Sequence, residues 1–93
     1  MFIGFLNLEI YIPYSHSLKE KRKYIKSIRD RIQKKYNVAI AELDYQDKWQ
    51  RIKIGVVTLN SHKIVVERLL NKVILDIEEN IEGEIIAKQI HFF

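Results

Sequence analysis

From Phe2 to Ile12 the chain alternates, with Phe2, Leu6, Leu8, Ile10 and Ile12 on one face and Ile3, Phe5, Asn7, Glu9 and Tyr11 on the other. A period of two is that of a strand, and apolar side chains on both faces predict a central place in a sheet. Pro13 has no N–H to continue the ladder and ends it. Ser17-Leu18-Lys19-Glu20 then has the spacing of a capping box, in which the serine hydroxyl accepts from an early helical N–H while the glutamate reaches back. At the helical period, Leu18, Ile25, Ile28, Ile32 and Tyr36 share one stripe. Lys19, Lys23, Lys26 and Lys34 fall on the opposite side, and Arg22 and Arg29 flank the stripe.

Val38 to Tyr45 is rich in small and β-branched residues and predicts a second strand; Gln46-Asp47-Lys48 is polar enough to turn the chain into a third, Gln50 to Leu59. Asn60 or Ser61 is placed to cap a second helix whose stripe is Val66, Leu69, Leu70, Val73 and Ile77, ending near Gly83, with Ile64 and Leu75 off the stripe. Glu84 to Phe93 alternates again, Ile86, Ile90 and Phe92 against Ile85, Ala87, His91 and Phe93, as a fourth strand. Strand, helix, strand, strand, helix, strand, with right-handed crossovers, predicts one α+β domain over residues 1–93: a ferredoxin-like βαββαβ sandwich, a four-stranded antiparallel sheet with two helices on one face. That topology brings Tyr14, Ser15 and His16 to the same edge as Asp44 to Arg51.

Composition changes this picture in two places. Zero cysteines exclude disulfide staples, thiolate nucleophiles and sulfur-ligated zinc. With neither a basic leader at Met1 nor an apolar run of bilayer-spanning length, the expected location is the cytoplasm. The net charge of +4 is unevenly spread, for Leu18 to Tyr36 holds nine Lys/Arg against two acids while the remainder holds seven against ten. The basicity therefore belongs to the first helix.

His16-Ser17-Leu18-Lys19-Glu20-Lys21-Arg22, followed by Asn37-Val38, Ala41-Glu42, Asp47-Lys48-Trp49-Gln50-Arg51 and Gly55, resembles the YlxP-like family of small bacterial proteins. The resemblance covers nearly the whole chain and is most specific in its two blocks, His16 to Arg22 and Glu42 to Arg51. It implies a ferredoxin-like fold with no established enzymatic activity, encoded near genes for ribosome maturation and translation initiation. Such neighbourhood is an association rather than a mechanism.

Four ammonium groups with flanking guanidiniums make an electrostatic footprint for phosphate, so Lys19, Arg22, Lys23, Lys26, Arg29 and Lys34 are the candidate nucleic-acid contacts, with ribosomal RNA the polyanion the resemblance suggests. The plainer reading is a solvated face in which Lys26–Asp30 and Asp30–Lys34 pair one turn apart. A solubilising face interleaves its signs more evenly, which favours binding. Lys21 falls inside the apolar stripe, where its stem can pack with an exposed head or its ammonium can pair with Glu42, Asp44 or Asp47.

His16, Glu42, Asp47, Trp49, Gln50 and Arg51 gather at the hairpin edge if the topology holds. A histidine beside a carboxylate can move protons, yet no nucleophile is paired with a base and no Gly-rich anion loop precedes the first helix. An enzyme is therefore not expected, nor is a cofactor. Trp49 and Arg51 with His16 and Asp47 fit a protein-docking edge instead. His16, His62 and His91 match no metal-ligand spacing, so no metal is expected. Ile3, Phe5, Val57 and Leu59 lie on the sheet face that the helices leave open, which predicts a homodimer or larger assembly through that face, with Leu75 or Ile64 as a second contact. The resulting expectation is a non-enzymatic, ribosome- or RNA-associated module, with protein docking through the His16/Asp47/Trp49 edge as the alternative.

Overall fold

The computed structural model describes residues 1–93. It contains β1 (Phe2–Tyr11), α1 (Leu18–Lys35), β2 (Ala39–Asp44), β3 (Arg51–Asn60), α2 (Lys63–Asn80) and β4 (Glu84–Phe92). The strands form one antiparallel sheet in the order β2-β3-β1-β4. This is the ferredoxin-like arrangement, with the doubly apolar β1 in the interior of the sheet as its pattern predicts.

The core holds 14 buried apolar residues drawn from β1, β3, both helices and, at Ile12, the β1–α1 loop, from Leu6, Leu8 and Ile10 through Ile52, Ile54 and Val56 to Ile28, Ile32, Leu70 and Ile77. Each helix contributes one stripe, and the alternate positions of β1 and β3 supply the facing surface. Gly4 shows how tightly these layers meet. A Cβ there would stand 2.8 Å from Leu70 Cδ1 and closer still to Val66 Cγ1, so α2 lies against bare backbone.

Local chemistry at the start of α1 follows the capping box. Glu20 N–H donates to Ser17 Oγ at 3.1 Å, and the Glu20 carboxylate accepts from the His16 N–H at 2.7 Å, one residue further back than the simplest box. The second helix differs from expectation. Its N-cap is His62, with no side-chain cap; Asn60 Oδ1 accepts from the His62 N–H at 3.0 Å and shapes the turn before the helix. It also stops at Asn80 rather than near Gly83, because Ile81 is already extended.

Strand β4 carries a second correction. Ala87 faces Glu9 and Ile85 faces Ile10, so two residues of β4 advance against one of β1. Ile86 is the extra residue of this bulge. Ile85, not Ile86, therefore joins Ile90 and Phe92 against the core, while Ile86 is exposed.

Candidate functional site

The cations of α1 divide by direction. Arg31 Nε donates to Asp76 Oδ1 at 2.6 Å and Lys35 Nζ to Asp76 Oδ2 at 3.0 Å, with the Tyr36 hydroxyl on the same Oδ2 at 3.1 Å. Burial alone would raise the pKa of Asp76, but these three donors outweigh it and hold the carboxyl below its ordinary value. The hydrogen bond to Asp76 in turn raises Lys35, and burial followed by its own hydrogen bond to Asp76 raises Tyr36. Both cations on this flank of the helix are thus engaged by a single carboxylate of α2. The pattern alone points at Asp76, an acid three residues from Val73 and next to Ile77 on the apolar stripe.

Lys19, Arg22, Lys23, Lys26, Arg29 and Lys34 are all exposed, and none has a carboxylate within 4.0 Å. The Lys26–Asp30 and Asp30–Lys34 pairs of the plainer reading do not form at that distance. Arg22, Lys26 and Arg29 share the flank that faces β2, where they border a groove of about 360 Å³ with Ile25, Ile40, Ile54, Ala41 and Glu42. Sequence periodicity placed these charges on the helix surface but carried no sign of the groove, which exists only because β2 ends the sheet.

Lys21 departs from the exposed-head reading. It is 1% exposed, its ammonium lies 3.2 Å from Glu42 Oε2, and it donates to the backbone carbonyl of Tyr45. Glu42 thus faces the helices and does not join the hairpin edge. Tyr45 has a φ of 63°, a left-handed conformation costly for a residue with a Cβ, and it ends β2. Its carbonyl also accepts the Lys48 N–H at 2.9 Å, closing the turn. On the far side, its hydroxyl donates to Glu9 Oε1 at 3.1 Å and its ring lies under Arg51, 5.4 Å from centroid to guanidinium. The hydrogen bond to Glu9 raises the Tyr45 pKa, with the Glu9 charge adding to it.

The edge predicted from topology is assembled. His16, Asp47, Trp49, Gln50 and Arg51 line one concavity of about 790 Å³ with Tyr11, Lys48 and the bulged Ile86. Gln50 Nε2 donates to the carbonyls of Pro13 and Ser15 at 3.0 and 3.3 Å, tying the β1–α1 loop to the hairpin. Trp49 is 55% exposed. These are aromatic and charged groups at a rim, with no hydrogen bond between His16 and Asp47.

The open sheet face is graded along the strands. Ile3 pairs with Leu59 and Phe5 with Val57, then Asn7 with Gly55, Glu9 with Lys53 and Tyr11 with Arg51. One end is apolar and the other charged. Gly55 leaves room for Phe5 and Leu43 to approach the strand backbone, since a Cβ there would stand 2.9 Å from Phe5 Cε1 and 2.8 Å from Leu43 Cδ1. Leu59 is 61% exposed and Phe5 stacks on His91 with centroids 6.2 Å apart. Leu75 and Ile64 are exposed on α2.

The sheet order and the two helices on one face define a small α+β domain of ferredoxin-like topology, with no helix long and apolar enough to cross a membrane. The chain belongs to the family described as "Protein of unknown function (DUF503)", whose match spans residues 3–90. It is 42% identical over 76 residues to "Uncharacterized protein YlxP" of Bacillus subtilis (strain 168), covering 82% of this chain and 83% of that protein. The YlxP-like resemblance is therefore borne out. Among solved structures it resembles "Structural Genomics, protein YJCS", with a TM-score of 0.56, 13% identity and 96% of both chains covered. It also resembles "De novo designed protein Ferredog-Diesel", with a TM-score of 0.50, 15% identity and coverage of 96% and 83%. At such identities both likenesses speak for the fold alone.

Proposed function

We propose that this protein is a non-enzymatic binding module for RNA, most naturally ribosomal RNA, that engages phosphates through the unpaired cations of α1. The supporting observation is the asymmetry of that helix: Arg31 and Lys35 are consumed by Asp76, whereas Lys19, Arg22, Lys23, Lys26, Arg29 and Lys34 face solvent without a carboxylate partner. Charges left unneutralised by their own chain cost little in water and release counterions when phosphates replace the solvent. Lysines facing solvent read backbone rather than sequence, so affinity is expected to be strongly salt-dependent and weakly sequence-dependent.

The test is co-sedimentation with ribosomal particles at low and high ionic strength, for the natural chain and for a variant with Lys19, Lys23, Lys26 and Lys34 changed to glutamate. Binding that falls steeply with salt and is lost in the variant supports the reading. Unchanged binding by the quadruple variant removes it.

A second reading is docking of a protein at the hairpin edge. Trp49 favours it, since a large aromatic left 55% exposed beside Arg51 has the composition of an interface centre. In that case Trp49→Ala abolishes partner capture while the lysine variant retains it. Self-association through Ile3, Phe5, Val57 and Leu59 is compatible with either reading, because that patch lies opposite the helices and at the other end of the strands from Tyr11 and Arg51.

A further inference from the structure

The fold builds two grooves of the same kind, each between a helix and the edge strand beside it. Between α2 and β4 the walls are Asn71, Ile74, Leu75, Glu78, Lys88, Gln89 and Ile90, and the lysine is held by Glu78 at 3.5 Å. The α1–β2 groove has a floor of Ile25, Ile40 and Ile54 and a wall of Arg22, Lys26 and Arg29, none of them paired. Its one acid, Glu42, already has Lys21 beside it. Equivalent architecture thus carries a concentrated positive field at one edge of the sheet and a balanced one at the other.

Three properties of the α1–β2 groove bear on what enters it. Its cations recur about once per helical turn, from residue 22 to 26 to 29, so they track a chain of anions rather than a single one. Its floor is apolar. Its far wall is the outer edge of β2, which pairs with β3 on one side only and so presents free backbone donors and acceptors along the other. Repeated negative charge, a flat apolar face and a hydrogen-bonding rim together describe an unpaired nucleotide. The phosphates meet the guanidiniums and ammonium, the base lies on the isoleucines, and its Watson–Crick edge meets the strand. A base paired within a duplex has its Watson–Crick edge already taken by its partner and its faces stacked between neighbours, so it can neither lie on the isoleucines nor present that edge to the strand in a cleft of about 360 Å³.

Resting on the RNA reading above and narrowing it, we infer that the α1–β2 groove is a site for single-stranded RNA, with a base seated over Ile25 and Ile40 and flanking phosphates on Arg22, Lys26 and Arg29. The distal lysines, Lys19, Lys23 and Lys34, then supply general attraction, and the groove supplies the preference for unpaired strands.

The experiment measures fluorescence anisotropy with a labelled 12-nucleotide RNA, single-stranded and annealed to its complement, for the natural chain and for Ile40→Trp. That substitution fills the groove without altering any charge. Single-stranded RNA is expected to bind at least about tenfold more tightly than the duplex. Ile40→Trp is expected to lower single-strand affinity by about tenfold, the value of one base contact, while the salt slope stays as it was. Backbone amides of Ala39 to Glu42 are expected to shift in NMR spectra of the natural chain on adding the single strand, a readout independent of how the variant folds. Equal affinity for duplex, an unaffected folded variant, or silence at these amides while α1 responds would overturn the groove assignment and leave the RNA reading standing. No RNA binding even at low salt would remove both. Displacement of the RNA by a poly-glutamate peptide that shifts the same amides at lower concentration would overturn it in favour of an acidic protein segment.

Discussion

The buried ammonium of Lys21 donates to the carbonyl oxygen of Tyr45, 24 residues along the chain, and joins the first turn of α1 to the end of β2. Tyr45 adopts its left-handed conformation in that grip. Glu42, 3.2 Å away, supplies the countercharge. One side chain therefore does two things: it supplies the countercharge to an acid that faces the helices, and it donates to a turn carbonyl.

Removing one member of this pair leaves the other with a charge and no partner in a mostly dry place. Lys21→Met is expected to lower unfolding free energy by about 1–3 kcal/mol, the cost of a stranded polar group. Lys21→Met combined with Glu42→Gln is expected to cost less than the two single changes together. Urea unfolding of the four proteins measures the coupling; additive losses would show that the two side chains do not interact energetically.

Asp76 predicts how the domain responds to acid. Its pKa in the fold is below the ordinary 3.8, so its contribution to stability is complete above that value and disappears as pH falls through the lower folded value. Asp76→Asn is expected to cost about 2 kcal/mol at neutral pH. The figure stays modest because Arg31 and Lys35 are about half exposed and can rehydrate. Below pH 4 the difference between variant and natural chain is expected to shrink. Thermal unfolding across pH 2–7 would show it, and a difference that stays constant into strong acid would contradict the assignment.

The apolar end of the open face is expected to self-associate. Analytical ultracentrifugation at micromolar concentration should find species larger than the 11.2 kDa chain, and Val57→Arg with Leu59→Arg should return it to monomer. Both positions are exposed in the single chain, so the fold is expected to survive the change. A monomer at all concentrations would defeat the prediction.

The six unpaired cations of α1 make a quantitative prediction as well. Reversing Lys19, Lys23, Lys26 and Lys34 is expected to flatten the dependence of log affinity on log salt by up to about four phosphate contacts' worth, roughly 0.7 per contact for single strands. A filter-binding salt titration reads this slope directly, and an unaltered slope would place the RNA contacts elsewhere.

Much of the fold was legible in the order of residues because periodicity is a local property. The two-residue rhythm of β1, the Ser17–Glu20 cap and the stripe of α1 each follow from neighbours a few positions apart, and their succession leaves few topologies. The meeting of His16 with Asp47, Trp49, Gln50 and Arg51 was legible too, since it depends on which strand ends share an edge. Elsewhere local rules were insufficient. The bulge that turns Ile86 outward is a relation between two strands, and no residue within β4 announces it.

By itself, then, the sequence determined the elements, their order and the sign of the charge on α1. Only the tertiary structure decided what each charge meets. Lys21, Arg31 and Lys35 are drawn to carboxylates on β2 and α2, whereas Arg22, Lys26 and Arg29 are left along a groove. The physical reason is range: helix periodicity is set by hydrogen bonds four residues apart, but an ion pair forms only where packing brings distant segments within a few ångströms.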